Sequence, residues 1–192
     1  MKERPIIFSG PMVRAILGGR KTQTRRAWKQ PTSLCMKDDY LYESGPDAEH
    51  GFNPIARDEI VCPHGRPRTN LWVRESCWAH KDTGEIFAYC ADVDEWLYDD
   101  KTVKKVPSID MPRAASRITL EIEGVRVARL QDISEEDAKA EGAVQCYALT
   151  GRIDNIEDCR HAFQLLWKSI HGPESWDANP WVWVIEFKRI KP

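Results

Sequence analysis

The sequence predicts an α+β domain built from several antiparallel strands and three helices. Apolar and polar residues alternate almost perfectly over residues 116–123, which is typical of a half-buried strand. Residues 155–170 repeat apolar side chains at the spacing of an amphipathic helix, and residues 181–190 form a second apolar strand. Gly124 interrupts the first pattern and indicates a bulge or bend, as in a sheet that curls toward a barrel.

Length and charge limit the class of protein. The chain has 192 residues, of which 42% are hydrophobic and 30% charged, as in a single soluble globular domain. Its 28 basic and 30 acidic residues exclude a globally basic nucleic-acid binder but leave room for a local basic patch. No apolar run is long enough to span a membrane, and the start lacks the order of a signal peptide. We therefore expect one cytoplasmic domain over residues 1–192.

The first elements follow from short local signals. Residues 4–10 read as a short strand, and the next segment begins with Pro11, which the first turn of a helix tolerates. Gly18 and Gly19 suit the end of that helix. A third helix is expected from Ser134, as its N-cap, to Gly142, with Asp137 at the capping-box position.

Two long segments interrupt this framework, and we treat them as loop insertions at about 30–69 and 80–113. The first is rich in proline and irregular, with one candidate strand near 40–43. Residues 71–78 and 86–91 read as strands, and a loop rich in Asp and Lys follows over 92–114.

The six cysteines predict reduced thiols, because a chain of this size without an export signal does not need disulfides. Cys62 and His64, combined with His50 or Cys35, match no standard zinc spacing, so we expect neither a metal nor a cofactor. The sequence also lacks a P-loop, a GxGxxG motif and a Ser/His/Asp order, which argues against nucleoside triphosphate and dinucleotide chemistry.

One segment concentrates reactive groups. Residues 20–26 carry four cations and two hydroxyls, namely Arg20, Lys21, Thr22, Thr24, Arg25 and Arg26. Repulsion between cations favours a neutral lysine, which can act as a general base toward a neighbouring hydroxyl. Residues three apart on a strand face opposite sides, so Lys21 must lie in the turn if it is to meet Thr24. The alternative is a basic loop that is solvated or binds phosphate.

Two further residues are candidate ligand contacts. Trp176 lies in a predicted loop, where its ring could stack on a base, whereas Trp181 and Trp183 share one face of a strand and are expected to pack. Glu75 is a polar candidate within its strand, the alternative being an ordinary alternating strand residue.

The motif Gly-Arg-Lys-Thr-x-Thr-x-Arg at 19–26, together with Trp-Val-Ile-Glu-Phe at 183–187, resembles the ASCH domain. This resemblance implies a PUA-like β-barrel and an association with RNA and modified nucleosides. The first motif is similar to that of the small bacterial N4-acetylcytidine amidohydrolases, which use a lysine, a threonine and a glutamate. These three residues fall on Lys21, Thr24 and Glu141.

Nearly the whole chain also resembles phage and prophage proteins of the same superfamily. The shared motifs include Leu-Trp-Val-Arg-Glu at 71–75 and Ser-Trp-Asp-Ala-Asn-Pro-Trp at 175–181. Two departures stand out, since the usual Pro-Gly-Asp turn is replaced at residues 67–70 and the usual tryptophan at 114 is Ala114.

The resemblance implies an amide hydrolase acting on N4-acylated cytidine or a related modified nucleoside. Thr24 would attack the acyl carbon while neutral Lys21 takes its proton, and Glu141 would hold Lys21. Arg26 would contact a carbonyl or phosphate. Binding contacts would also come from Arg20, Thr22, Arg25, Glu75 and Trp176. The alternatives are a non-catalytic RNA- or DNA-binding module, and a phage accessory protein that binds a host factor through its loops.

Overall fold

The computed structural model describes two kinds of segment. Backbone and side chains are described for residues 3–28, 61–93, 101–143 and 158–190, and three short strands are described by their backbone alone. The candidate strand near 40–43 is one of these three, whereas residues 155–157 of the expected long helix lie outside the described residues.

Three α-helices occur in the described residues: α1 (Gly10–Leu17), α2 (Glu135–Ala140) and α3 (Cys159–His171). Ser134 caps α2 as expected, because its side chain accepts a hydrogen bond from the backbone N–H of Asp137 at 3.1 Å. The carboxylate of Asp137 binds two arginines instead of completing a capping box. None of these helices has the length and apolar character needed to cross a membrane.

Five strands form the main sheet: β1 (Glu3–Ile7), β2 (Gln23–Ala27), β6 (Asn70–Arg74), β10 (Thr119–Arg129) and β11 (Trp181–Ile190). Their order in the sheet is β1-β6-β10-β11-β2, so β1 and β2 are its two edges. The β1–β6 pair is parallel and the other three pairs are antiparallel. The expected irregularity at Gly124 is confirmed, since the register of β10 against β11 shifts between Ile122 and Gly124.

Two three-stranded sheets lie in or beside the segments that we treated as insertions. One comprises β3 (Leu34–Lys37), β4 (Tyr40–Glu43) and β5 (Asn53–Ile55), and the other comprises β7 (Cys77–His80), β8 (Ile86–Tyr89) and β9 (Val103–Val106). Three predictions are therefore wrong. The first insertion holds three strands instead of one, the loop at 92–114 contains β9, and residues 71–78 form parts of two strands in different sheets.

The main sheet is covered on both faces, which explains the nearly continuous apolar run of β11. Trp183, Ile185 and Phe187 belong to one buried cluster, which includes Phe8 and side chains of α1. Val182 and Val184, on the other face of β11, belong to a second cluster with side chains of α2 and α3. The α+β class predicted from the sequence is confirmed, and β2 lies between the two clusters at the edge of this sheet.

The turn before β6 shows what the departure from Pro-Gly-Asp involves. Arg68 has a φ of +70°, in the left-handed region that favours glycine. Its backbone N–H donates to the carbonyl of Ile122 at 2.8 Å. The backbone thus takes a glycine-like conformation although an arginine occupies the position.

Candidate active site

Lys21 lies in the turn between α1 and β2, as the spacing argument requires. Gly19 has a φ of +69°, which lets the chain reverse at the end of the helix. The backbone N–H of Lys21 donates to the carbonyl of Ala15 at 3.1 Å, so the turn is held against α1. The side chain is thereby directed into the protein rather than into solvent, and Lys21 is only 2% exposed.

The ammonium group of Lys21 is fully hydrogen-bonded. Nζ lies 2.8 Å from the carbonyl oxygen of Gln23, 2.9 Å from the carbonyl oxygen of Glu141 and 2.8 Å from Oε2 of Glu141. A lysine ammonium has three N–H donors, and each has an acceptor here. Glu141 is 3% exposed, so this is a buried ion pair between two distant parts of the sequence.

The end of α2 brings Glu141 to this place. The backbone N–H of Thr22 donates to the carbonyl of Ala140 at 2.8 Å, which joins the end of the helix to the start of β2. Gly142 follows with a φ of +69°, and a Cβ there would lie 3.2 Å from the Cβ of Lys21. Glycine at 142 therefore permits both the backbone reversal and the close approach of the two segments.

Arg25 binds the other oxygen of the same carboxylate. Its Nη1 lies 3.3 Å from Oε1 of Glu141, and its Nη2 lies 2.6 Å from Oδ2 of Asp137. The guanidinium also faces the ring of Phe163, 5.8 Å from the ring centre. Arg25 is 5% exposed, and both ends of its guanidinium fork are bound within the protein. Its expected contact with a ligand stays a prediction.

Asp137 is the carboxylate on this face that sequence reasoning missed. Burial favours its neutral form, but hydrogen bonds from Arg126 and Arg25 outweigh burial and hold the pKa of Asp137 below its ordinary value. Asp137 and Glu141 are four residues apart at the end of one helix, a spacing that places both on the same face. That spacing is the signal that could have found the pair.

Thr24 and Arg26 face the opposite side of β2. Thr24 is paired with Ile185 of the first cluster and is 4% exposed. Arg26, two residues on and on the same face, lies with its guanidinium carbon 5.1 Å from the centre of the Phe8 ring. Nζ of Lys21 lies 5.7 Å from that ring centre. Phe8, which sequence reasoning did not single out, thus contacts both cations on the side that Thr24 faces.

Arg26 is bound less completely than Arg25. It is half-buried, and Nη2 donates to the carbonyl of Ile7 at 2.5 Å. Its Nε is buried and has no hydrogen-bond partner, and burial lowers the pKa of this guanidinium. No carboxylate of the described residues forms an ion pair with it.

The remaining predicted contacts divide into exposed and buried residues. Arg20 and Thr22 are exposed beside the ion pair. Glu75 is 1% exposed, and both its oxygens accept hydrogen bonds from Arg117, at 2.9 and 3.0 Å. Trp176 is 7% exposed and packs edge-on against Phe163. Both side chains thus have partners within the protein, and their expected contacts with a ligand stay predictions.

Two of the residues considered for a zinc site, Cys62 and His64, have described side chains. Cys62 is buried in the first hydrophobic cluster and is a free thiol. Burial, with Arg26 and Arg4 nearby, lowers the pKa of His64 from 6.5 to about 4. His50 lies outside the described residues, and within those residues no three acidic, His or Cys side chains are placed to hold a metal ion.

Comparison with known proteins adds little to this geometry. No family model matches the sequence, and no curated protein matches it significantly. The chain is similar to a crystal structure from Enterococcus faecalis V583 that is described as DUF984. The identity is 10% and the TM-score 0.43, with 99% of this chain and 81% of that chain covered. At this level the likeness assigns neither a fold family nor a function.

Proposed function

We propose that this chain is an ASCH-type domain that hydrolyses the amide of N4-acylated cytidine or a related modified nucleoside. The observation that carries the proposal is the buried ion pair of Lys21 and Glu141, which lies three residues along the chain from the candidate nucleophile Thr24. Removing two charges from water costs several kcal/mol per ion, so a buried pair is seldom an efficient way to stabilise a fold. Buried ionisable groups of this kind cluster at functional sites.

The proposed fold within the α+β class is a PUA-like barrel. Its support is the contact between the two edge strands of the main sheet, where Arg26 of β2 donates to the carbonyl of Ile7 in β1. A flat five-stranded sheet would separate its edges by about four strand spacings of roughly 4.8 Å each. A single side chain bridges these edges, so the sheet is strongly curled.

The reaction proposed for this site is acyl transfer to Thr24 followed by hydrolysis. The Thr24 oxygen attacks the acyl carbon and its proton passes to the neutral amine of Lys21. The tetrahedral intermediate then breaks its carbon–nitrogen bond, and the leaving amine takes that proton. Water next attacks the ester on Thr24, which releases a carboxylic acid and restores the hydroxyl.

The hydrogen bonds of Lys21 define what must happen first. With three acceptors around it, the ammonium form suits the resting site, and that form cannot accept a proton. Oε2 of Glu141, at 2.8 Å, is placed to receive the proton that Lys21 must lose. Glu141 therefore has a proton-transfer role in the proposal as well as holding Lys21.

Arg26 is the group proposed to meet the substrate. It lies on the face of β2 that Thr24 occupies, its Nε has no partner, and no described carboxylate neutralises it. A guanidinium in this state would stabilise the negative charge that develops on the acyl oxygen during attack.

The test is incubation of the purified protein with N4-acetylcytidine and a panel of acylated nucleosides, with products separated by chromatography and identified by mass. We expect release of cytidine and acetate by the wild type and by Thr24→Ser, which keeps a hydroxyl. Thr24→Ala and Lys21→Met should release none. Ser169→Ala removes an exposed hydroxyl of α3 that the proposal does not use, and this control variant should retain full activity.

Two outcomes would contradict the proposal. Turnover by Thr24→Ala would exclude Thr24 as the nucleophile. Absence of product from every substrate, together with RNA or DNA binding that weakens with salt and on Arg26→Met, would favour the non-catalytic nucleic-acid-binding module.

A further inference from the structure

We propose that Arg25, itself held by Asp137, is a positioning residue that fixes the Glu141 carboxylate toward Lys21. The part of this inference that concerns activity rests on the proposed function, whereas the structural part does not. It replaces the expectation that Arg25 contacts a ligand directly.

The first argument is the division of the Glu141 carboxylate between two cations. Oε2 binds Lys21 at 2.8 Å and Oε1 binds Arg25 at 3.3 Å. The terminal torsion of a glutamate is broad, so one hydrogen bond alone would leave the carboxylate free to turn. A second cation on the other oxygen removes that freedom and directs Oε2 at Nζ of Lys21.

The second argument is that Arg25 is itself immobilised. Its Nη2 binds Asp137 at 2.6 Å, and its guanidinium faces Phe163, whose side chain is in the second hydrophobic cluster. The guanidinium fork thus spans two carboxylates that one helix presents four residues apart. Lysine could supply the charge but could not span both carboxylates in the same way.

The third argument is charge balance. Two cations, Lys21 and Arg25, face two anions, Glu141 and Asp137, so the charges of these four side chains balance. Without Arg25, Lys21 would be the one cation of the described residues bonded to Glu141, and Oε1 of Glu141 would lose the partner that orients it. Arg126 also contacts Asp137, at 2.8 Å, but its side chain is 44% exposed. Among the described residues Arg126 forms no ion pair with Glu141, so its substitution perturbs Asp137 without touching Glu141.

The structural test follows the Lys21 ammonium by ¹⁵N–¹H NMR in the free protein, with its resonance assigned by its loss in Lys21→Met. In the wild type we expect slow hydrogen exchange. In Arg25→Met we expect exchange at least tenfold faster, and in Arg25→Lys an intermediate rate. Arg126→Met should stay within twofold of the wild type, because it leaves both bonds of Glu141 in place.

The activity test uses the same variants with N4-acetylcytidine. Arg25→Met should lower kcat at least tenfold with KM within twofold of the wild type, since Arg25 acts through Glu141 rather than on substrate. Arg25→Lys should recover part of kcat, and Arg126→Met should change neither constant.

The outcomes separate this proposal from the proposed function. Unchanged ammonium exchange in folded Arg25→Met overturns the positioning role, whatever the activity. Faster exchange in Arg25→Met than in the wild type, together with a wild type that hydrolyses no substrate, retains the positioning role and rejects the hydrolase. Should Arg25→Met not fold, Asp137→Asn replaces it. That variant should show a smaller change in the same direction, and no change would overturn the proposal.

Discussion

Arg25 and Arg26 are neighbours on one strand, yet their surroundings differ in nearly every respect. Arg25 faces α2 and α3, where it binds two carboxylates and an aromatic ring. Arg26 faces the first hydrophobic cluster, where it meets the ring of Phe8 and one backbone carbonyl. The Nε of both arginines is buried without a hydrogen-bond partner, but Arg26 also lacks an ion pair among the described residues.

The difference shows that residue type did not set the role of these side chains. Alternation along β2 places Arg25 where carboxylates neutralise its charge, and Arg26 where no carboxylate of the described residues does so. The neutralised arginine can orient other groups, whereas the second carries a half-buried charge that a ligand can satisfy. Under the proposed function, one face of β2 would hold the site together and the other would contact the substrate.

The largest expected effect is on stability. Arg25→Met leaves two carboxylates short of a cation and should lower the free energy of unfolding by about 3 kcal/mol. Arg26→Met loses packing but also removes a half-buried charge that has no ion pair among the described residues. The two effects oppose each other, so the free energy of unfolding should change by less than about 1 kcal/mol. Urea unfolding of both variants measures the difference. Equal losses would show that the two faces are energetically alike.

A double-mutant cycle tests how closely the neutralised face is coupled. Lys21→Met and Glu141→Gln should each destabilise the protein, because each leaves the other charge buried without its main partner. The double variant should lose less free energy of unfolding than the two single variants lose together, with a coupling energy of about 2 kcal/mol. Additive losses in urea unfolding would mean that the pair contributes no direct interaction. Thr22→Ala paired with either variant should give no coupling.

The smallest effect concerns the titration of His64, which only the Arg26 face should influence. Burial is the main reason that its pKa falls to about 4, and Arg26 contributes a further part. Arg26→Met should raise this pKa by a fraction of a unit, and Arg25→Met should leave it unchanged. NMR titration of the imidazole measures both. A shift of similar size in the two variants would contradict the separation of the faces.

The same titration has a consequence for stability whose sign is fixed. In the unfolded chain His64 has an ordinary pKa near 6.5, so between about pH 6.5 and 4 the unfolded state binds more protons. The contribution of neutral His64 to stability is therefore complete above this interval and is lost as the pH falls through it. His64→Gln should flatten this part of the stability profile relative to the wild type.

Local pattern was sufficient for the elements whose signals lie within their own residues. The alternation over residues 116–123 predicted β10, which begins at Thr119. Capping residues predicted the two ends of α2 to within one residue. The break between β6 and β7 was missed because both strands are apolar and the chain changes sheets at residues 75–76 without glycine or proline. Such a break depends on which sheet each strand joins, which local sequence does not encode.

The candidate site was predictable to a different degree for each residue. Strand geometry required Lys21 to lie in the turn if it is to meet Thr24, and the structure places Lys21 in that turn. The position of Glu141 came from a family resemblance, since no spacing rule links residues so far apart. Which face of β2 meets the helices depends on tertiary packing, so the burial of Arg25 against α2 and α3 could not be predicted from its neighbours in the sequence. Trp176 is buried although its segment is irregular, because its exposure depends on packing against Phe163 rather than on secondary structure.

The position of β11 has a consequence for how the protein is made. Strand β2 pairs with β11 and with no other described strand, and β11 also pairs with β10. Because synthesis runs from the N-terminus, β2 leaves the ribosome long before its pairing partner exists. A nascent chain that stops before residue 181 thus has a strand carrying two arginines and no sheet to join. Strand β2, with Thr24 and both arginines, therefore enters the sheet only after β11, which begins at Trp181, has been synthesised.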